Sequence, residues 1–158
     1  MRGIISNKPL RIAVFLFLEI LSIAMGMGVP IFTILFGFLV GLFIPRILRT
    51  PSELSTQNLA SILKAALIPS AVTLMIMALI WLPTLSWLSD STRDLSNFGI
   101  PMILFSPRAS FIGWIVLMVL ISPFLQFLMT LFGSISWIVF IPNRWRNDIS
   151  SSGNELAG

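Results

Sequence analysis

From Ile12 to Ile44 the chain runs 33 apolar-dominated residues broken by a single charged side chain, Glu19. A helix of that length measures about 50 Å against a ~30 Å hydrocarbon core, so the run is too long for one span. The break falls at Gly26-Met27-Gly28-Val29-Pro30, where glycine weakens a helix and proline lacks the amide that an uninterrupted helix needs. The pattern predicts a tight hairpin of two transmembrane helices, at residues 12–27 and 30–45. A re-entrant hairpin that dips into the bilayer and returns fits the same pattern, because each arm is only about 16 residues, short for a ~30 Å core.

The next helix signal is Thr50-Pro51-Ser52-Glu53, an N-cap threonine, a proline at the first helical position and a capping-box glutamate. Leu59, Ile62, Leu63 and Ala66 follow at i, i+3, i+4 and i+7, which predicts an amphipathic helix on the inner membrane surface at 51–64. This helix is available to dock a cytoplasmic partner, and it feeds a third span at 65–83. Residues 84–109 hold Asp90, Arg93, Asp94, Asn97 and Arg108 and read as an extramembrane loop. Apolar character returns from Phe111 to Ile141, with Trp114 and Trp137 separated by 23 residues, or ~35 Å of helix. The two tryptophans predict the interfacial ends of one tilted fourth span, 114–137, kinked at Pro123.

Composition agrees with lipid as the solvent. The 158 residues are 56% hydrophobic and only 10% charged, with a mean hydropathy of +0.98, far from a soluble domain at about 25% charged. The expected fold class is an all-α integral membrane protein of four transmembrane helices. Residues 1–143 form a single polytopic domain, and 144–158 form a short polar tail expected to be disordered. Residues 1–24 imitate a secretory signal, but a glutamate inside the apolar stretch favours a retained helix.

The net charge of +4 distributes by loop. With the N-terminus inside, Arg2, Lys8, Arg11, Arg46, Arg49, Lys64, Arg144 and Arg146 fall on the inner side, and Arg93 and Arg108 on the outer. That asymmetry predicts both termini in the cytoplasm and a plasma or inner membrane location. Trp81, Trp87 and Trp114 are expected at the outer interface, Trp137 and Trp145 at the inner one. The basic residues are placed for lipid headgroups rather than nucleic acid.

The chain has no Cys and no His, which removes thiolate nucleophiles, imidazole bases and the common ligands of zinc and haem. No metal and no cofactor are expected. Asp90-Ser91-Thr92-Arg93-Asp94 is the one clustered set of carboxylates, and a short charged turn of this kind reads as a solvated loop rather than a catalytic pair. An enzyme is therefore not expected.

Small and polar residues recur at helical spacing in every span: Glu19, Ser22 and Gly26 in the first; Thr33, Gly37 and Gly41 in the second; Ala66, Ser70 and Thr73 in the third; Ser122, Gln126, Thr130 and Gly133 in the fourth. In lipid, helices associate through close backbone approach and interhelical hydrogen bonds, so such stripes mark contact faces, either within the chain or toward another protein. Glu19 lies eight residues past Arg11, about 12 Å into the core, and Gln126 sits at similar depth in the fourth span. A hydrogen bond between them is the favoured pairing, with Ser22 beside it.

A charged residue at mid-span costs roughly 2.5 to 3.5 kcal/mol on insertion scales. Three explanations of Glu19 stay open: a protonated acid bonded across helices, a site that binds and releases protons or a cation, and a partner to a basic group of another subunit. One glutamate in the first of four spans, with both termini inside, is similar in architecture to the small multidrug-resistance family. That resemblance implies proton-coupled transport, although this chain has no tyrosine and a longer loop at 84–109. Two functions follow: a non-catalytic accessory or assembly subunit of a larger membrane complex, or a small proton-coupled transporter using Glu19. The expected partners are the bilayer together with other membrane subunits or further copies of the chain.

Overall fold

A computed structural model describes residues 8–25, 30–48, 56–90, 92, 94–95 and 104–140. All regular structure among them is helical: α1 (Lys8–Met25), α2 (Ile31–Leu48), α3 (Thr56–Trp81), a 3-10 helix (Leu82–Ser89), α4 (Pro107–Val116), a π-helical turn (Leu117–Ile121) and α5 (Ser122–Phe140). Three stretches are long and apolar enough to cross a membrane: Ile31–Leu48, Thr56–Ser89 and Pro107–Phe140. The protein is an all-helical membrane-embedded bundle. α1 has the length of α2, 18 residues, but includes Lys8, Arg11 and Glu19.

The separate surface helix expected at 51–64 is not a separate element. From Thr56 its residues are the first turns of α3, which continues to Trp81, while Thr50-Pro51-Ser52-Glu53 lies outside the described residues. Residues 56–68 contain neither glycine nor proline, so nothing in the backbone ends the helix there. Of the proposed amphipathic face only Ile62 and Ala66 are buried; Leu59 and Leu63 face outward. The buried stripe is Ile62, Ala66, Pro69, Thr73 and Met77, a three- and four-residue spacing that keeps one face inward.

The span expected at 114–137 also differs from a single helix kinked at proline. Ahead of Pro123 the chain makes a π turn in which the Ser122 amide bonds the carbonyl of Leu117, five residues back rather than four. Pro123 has no amide to continue the α-helical register, so the irregularity is placed just before it. The inward residues Phe111, Ile115, Val119 and Pro123 recur every four residues. That period exceeds 3.6 and would drift around a regular helix; the wider turn absorbs the drift. At its start α4 is capped by Ser106, whose Oγ accepts from the Ala109 amide at 3.1 Å.

Two apolar cores fix the relative direction of the helices. Ile44, Ile62 and Ala66 pack with Val40, Phe127, Leu131 and Ile138, so the end of α2, the start of α3 and the length of α5 beyond Phe127 meet. Phe111, Ile115 and Val119 pack with Ala78, Trp81, Trp87 and Leu88, joining the far end of α3 to α4 and the 3-10 helix. α3 is thus antiparallel to α2 and to α4–α5. Trp114 is buried at 5% exposure rather than facing the interface as expected, because it lies on the same inward face as Phe111 and Ile115. Between the two cores lies a polar layer.

Candidate functional site

The polar layer takes side chains from α1, α3 and α5. Glu19 of α1, Thr73 of α3, and Ser122, Gln126 and Thr130 of α5 are each fully buried. Gln126 Nε2 donates to Glu19 Oε1 at 2.7 Å, and the Thr73 hydroxyl donates to the same oxygen. Both donors converge on Oε1. Ser22, one turn along α1, turns its hydroxyl back to the Glu19 backbone carbonyl at 2.8 Å, so it buttresses the helix instead of reaching across. Four buried polar atoms have no hydrogen-bond partner among the described residues: Glu19 Oε2, Gln126 Oε1, Ser122 Oγ and Trp114 Nε1.

Gln126 is held where it is by α2. A Cβ placed on Gly37 would come within 2.7 Å of both Gln126 Cγ and the Gln126 carbonyl oxygen, so the absence of a side chain at 37 is what lets the glutamine backbone approach. One turn on, a Cβ at Gly41 would run into the Thr130 carbonyl. From the other side, a Cβ at Gly133 would meet the Phe38 carbonyl. These three glycines make a reciprocal crossing of α2 and α5 at backbone contact, with stabilisation from dispersion and weak Cα–H···O contacts rather than from hydrophobic transfer.

Hydroxyls complete the crossing. Ser134 Oγ donates to the Gly41 carbonyl at 2.9 Å and shares that hydrogen with the Thr130 carbonyl at 2.9 Å. Ser70 of α3 donates to the Pro123 carbonyl at 2.7 Å. Thr33 bonds its own Pro30 carbonyl at 3.0 Å, and Thr130 bonds that of Gln126 at 2.8 Å.

The residues singled out in the sequence therefore fall into two groups. Glu19, Gln126 and Thr73 meet at one carboxyl oxygen; Gly37, Gly41, Thr130 and Gly133 line the α2–α5 crossing. Thr33 is buried at the other end of α2, Ser70 bridges α3 to α5, and Gly26 lies outside the described residues. Ser134 was not singled out. Its signal was indirect: Pro45 lies four residues after Gly41 and so deprives the Gly41 carbonyl of its helical donor, which leaves an acceptor in need of a hydroxyl from a neighbouring helix.

Among the described residues no cation belongs to this layer. The cations whose side chains are described, Arg11, Arg46, Lys64 and Arg108, are all exposed, and the hydrogen-bond partners of the Glu19 carboxyl are the neutral Thr73 and Gln126. No protein-family model, no curated protein and no solved structure matches the chain, so the functional assignment rests on the residues themselves.

Proposed function

We propose that this is a non-catalytic, four-span membrane protein that acts through helix contacts as an accessory or assembly subunit of a larger complex in the plasma or inner membrane, with both termini cytoplasmic. The observation that carries this reading is the direction of its polar groups. The polar groups at the middle of the bundle point inward and hold α1, α3 and α5 together, while the outward positions there are aliphatic or aromatic, as on Phe17, Leu39, Leu79 and Phe132, and the exposed cations Arg11, Arg46, Lys64 and Arg108 lie toward helix ends. A bundle of this kind presents a finished, apolar exterior to lipid or to other transmembrane helices. The short extramembrane segments provide little surface for a soluble substrate.

The test is native mass measurement after gentle extraction from its own membrane. Stoichiometric foreign subunits would support the accessory role. A lone monomer or a homodimer would count against it.

A second reading, a small proton-coupled transporter, is favoured by one specific feature: a mid-membrane carboxyl with an unpartnered oxygen, Glu19 Oε2, beside neutral partners only. Intramembrane carboxyls in such surroundings are common components of ion pathways. Flux in proteoliposomes under a pH gradient distinguishes it, since equal flux in wild type and Glu19→Gln would remove proton coupling through this residue.

A further inference from the structure

We propose that Glu19, Gln126 and Ser122 form a binding site for one monovalent cation, a proton or a sodium ion, at the centre of the bundle. The inference deepens the transport reading but concerns occupancy rather than flux.

The first support is which atoms lack partners. Glu19 Oε1 already accepts from Gln126 and Thr73, whereas Glu19 Oε2, Gln126 Oε1 and Ser122 Oγ have none among the described residues. All three are oxygens, all three residues are fully buried, and Ser122 and Gln126 are four apart on one face of α5. Buried polar atoms without a partner cost about 1 to 3 kcal/mol each, so two acceptor oxygens and a hydroxyl in one layer point to something that satisfies them together.

The second support is charge. A carboxylate held among neutral groups in the bilayer interior needs a compensating positive charge. The charged side chains described on the elements packed around it, Arg46 of α2, Lys64 of α3 and Arg108 of α4, are exposed, as is Arg11 on α1 itself, and α5 carries none. Among the described residues none supplies that charge, which leaves a place for an ion from solution.

Both candidate ions fit the chemistry. A proton on Oε2 would donate to Gln126 Oε1 while Gln126 Nε2 donates to Oε1, closing an acid–amide pair that uses two of the three unpartnered atoms. A sodium ion would take Oε2, Gln126 Oε1 and Ser122 Oγ as ligands, since hard cations prefer oxygen. The proposed ligand Ser122 lies at the end of the π turn and just before Pro123, which has no amide to donate back into that turn. Helix irregularities of this kind supply carbonyls to ion sites in membrane proteins. Exchange of the two ions requires only loss of the carboxyl proton to water as sodium enters.

Infrared difference spectroscopy on the full chain in lipid nanodiscs tests the site. At neutral pH without sodium, wild type is expected to show a protonated-carboxyl stretch that shifts only slowly in heavy water, and that is absent in Glu19→Gln and displaced in Glu19→Asp. Sodium chloride, but not choline chloride, is expected to remove it, and Ser122→Ala to raise the sodium concentration for half-effect roughly tenfold. A band that ignores sodium assigns the site to the proton alone. No slowly exchanging carboxyl band and no sodium response would overturn the proposal, and slow exchange identifies a buried carboxyl even where a variant fails to fold. A positive result with no flux in proteoliposomes would leave the site standing and remove only the transport reading.

Discussion

Ser134 of α5 gives its hydroxyl hydrogen to the carbonyl of Gly41 in α2 at 2.9 Å, and Gly41 is the residue whose carbonyl Pro45 cannot bond. One helix thereby supplies the donor that the other lost. Ser134→Ala should destabilise the bundle by about 1 kcal/mol, the usual value of such a bond. In a Pro45→Ala background, where residue 45 regains an amide, the same substitution should cost measurably less. Reversible unfolding in mixed detergent micelles gives both values, and an equal cost in the two backgrounds would break the link between proline and serine.

The glycines of the α2–α5 crossing should be intolerant for a reason specific to position. At Gly41 and Gly133 a methyl meets backbone carbonyls of the facing helix, which cannot rotate away, so alanine should cost about 2 kcal/mol or more through forced separation. Gly113 is the internal control. Its nearest neighbour would be Leu104 Cδ1 at 3.7 Å, ordinary contact, and Gly113→Ala should be neutral or stabilising by up to about 1 kcal/mol from helix propensity. Equal losses at 41 and 113 would show that helix flexibility, not close approach, explains these positions.

Glu19 and Gln126 should be energetically coupled. Glu19→Gln and Gln126→Leu, measured singly and together, are expected to show a coupling of at least about 0.6 kcal/mol, the average for polar pairs between membrane helices, and at most about 1.7. Thr73→Val removes the second donor to Oε1 at nearly constant volume and should itself cost about 1 kcal/mol. Additive single effects would separate the two residues in function despite their 2.7 Å contact.

Because the chain contains no cysteine, single-cysteine labelling needs no background replacement. Arg11 and Met25, both exposed at opposite ends of α1, should react with an impermeant reagent from opposite sides of the membrane if α1 spans. Lys64→Cys and Ser86→Cys should also label from opposite sides, with Lys64 on the side of Arg11 and Arg46. Reaction of Arg11→Cys and Met25→Cys from the same side would replace the span by a re-entrant arm.

The sequence alone determined the solvent, the helical class and the inward faces, because these follow from composition and from a period that local geometry imposes on each segment. Small residues at Gly37, Gly41 and Gly133, and the matching depth of Glu19 and Gln126, were legible for the same reason: both depend only on rise per residue and on the cost of polar groups in lipid. The continuity of α3 from Thr56 was not legible, since an amphipathic start reads alike whether it lies on the surface or extends a span, and packing of Ile62 and Ala66 against α2 and α5 decides between them. Only tertiary structure showed that the stripes face one another, that Ser134 repairs the gap at Gly41, and that both donors to Glu19 converge on a single oxygen. Those depend on the crossing of helices far apart in the chain, where a shift of one residue in register would exchange one partner for another without altering any local pattern.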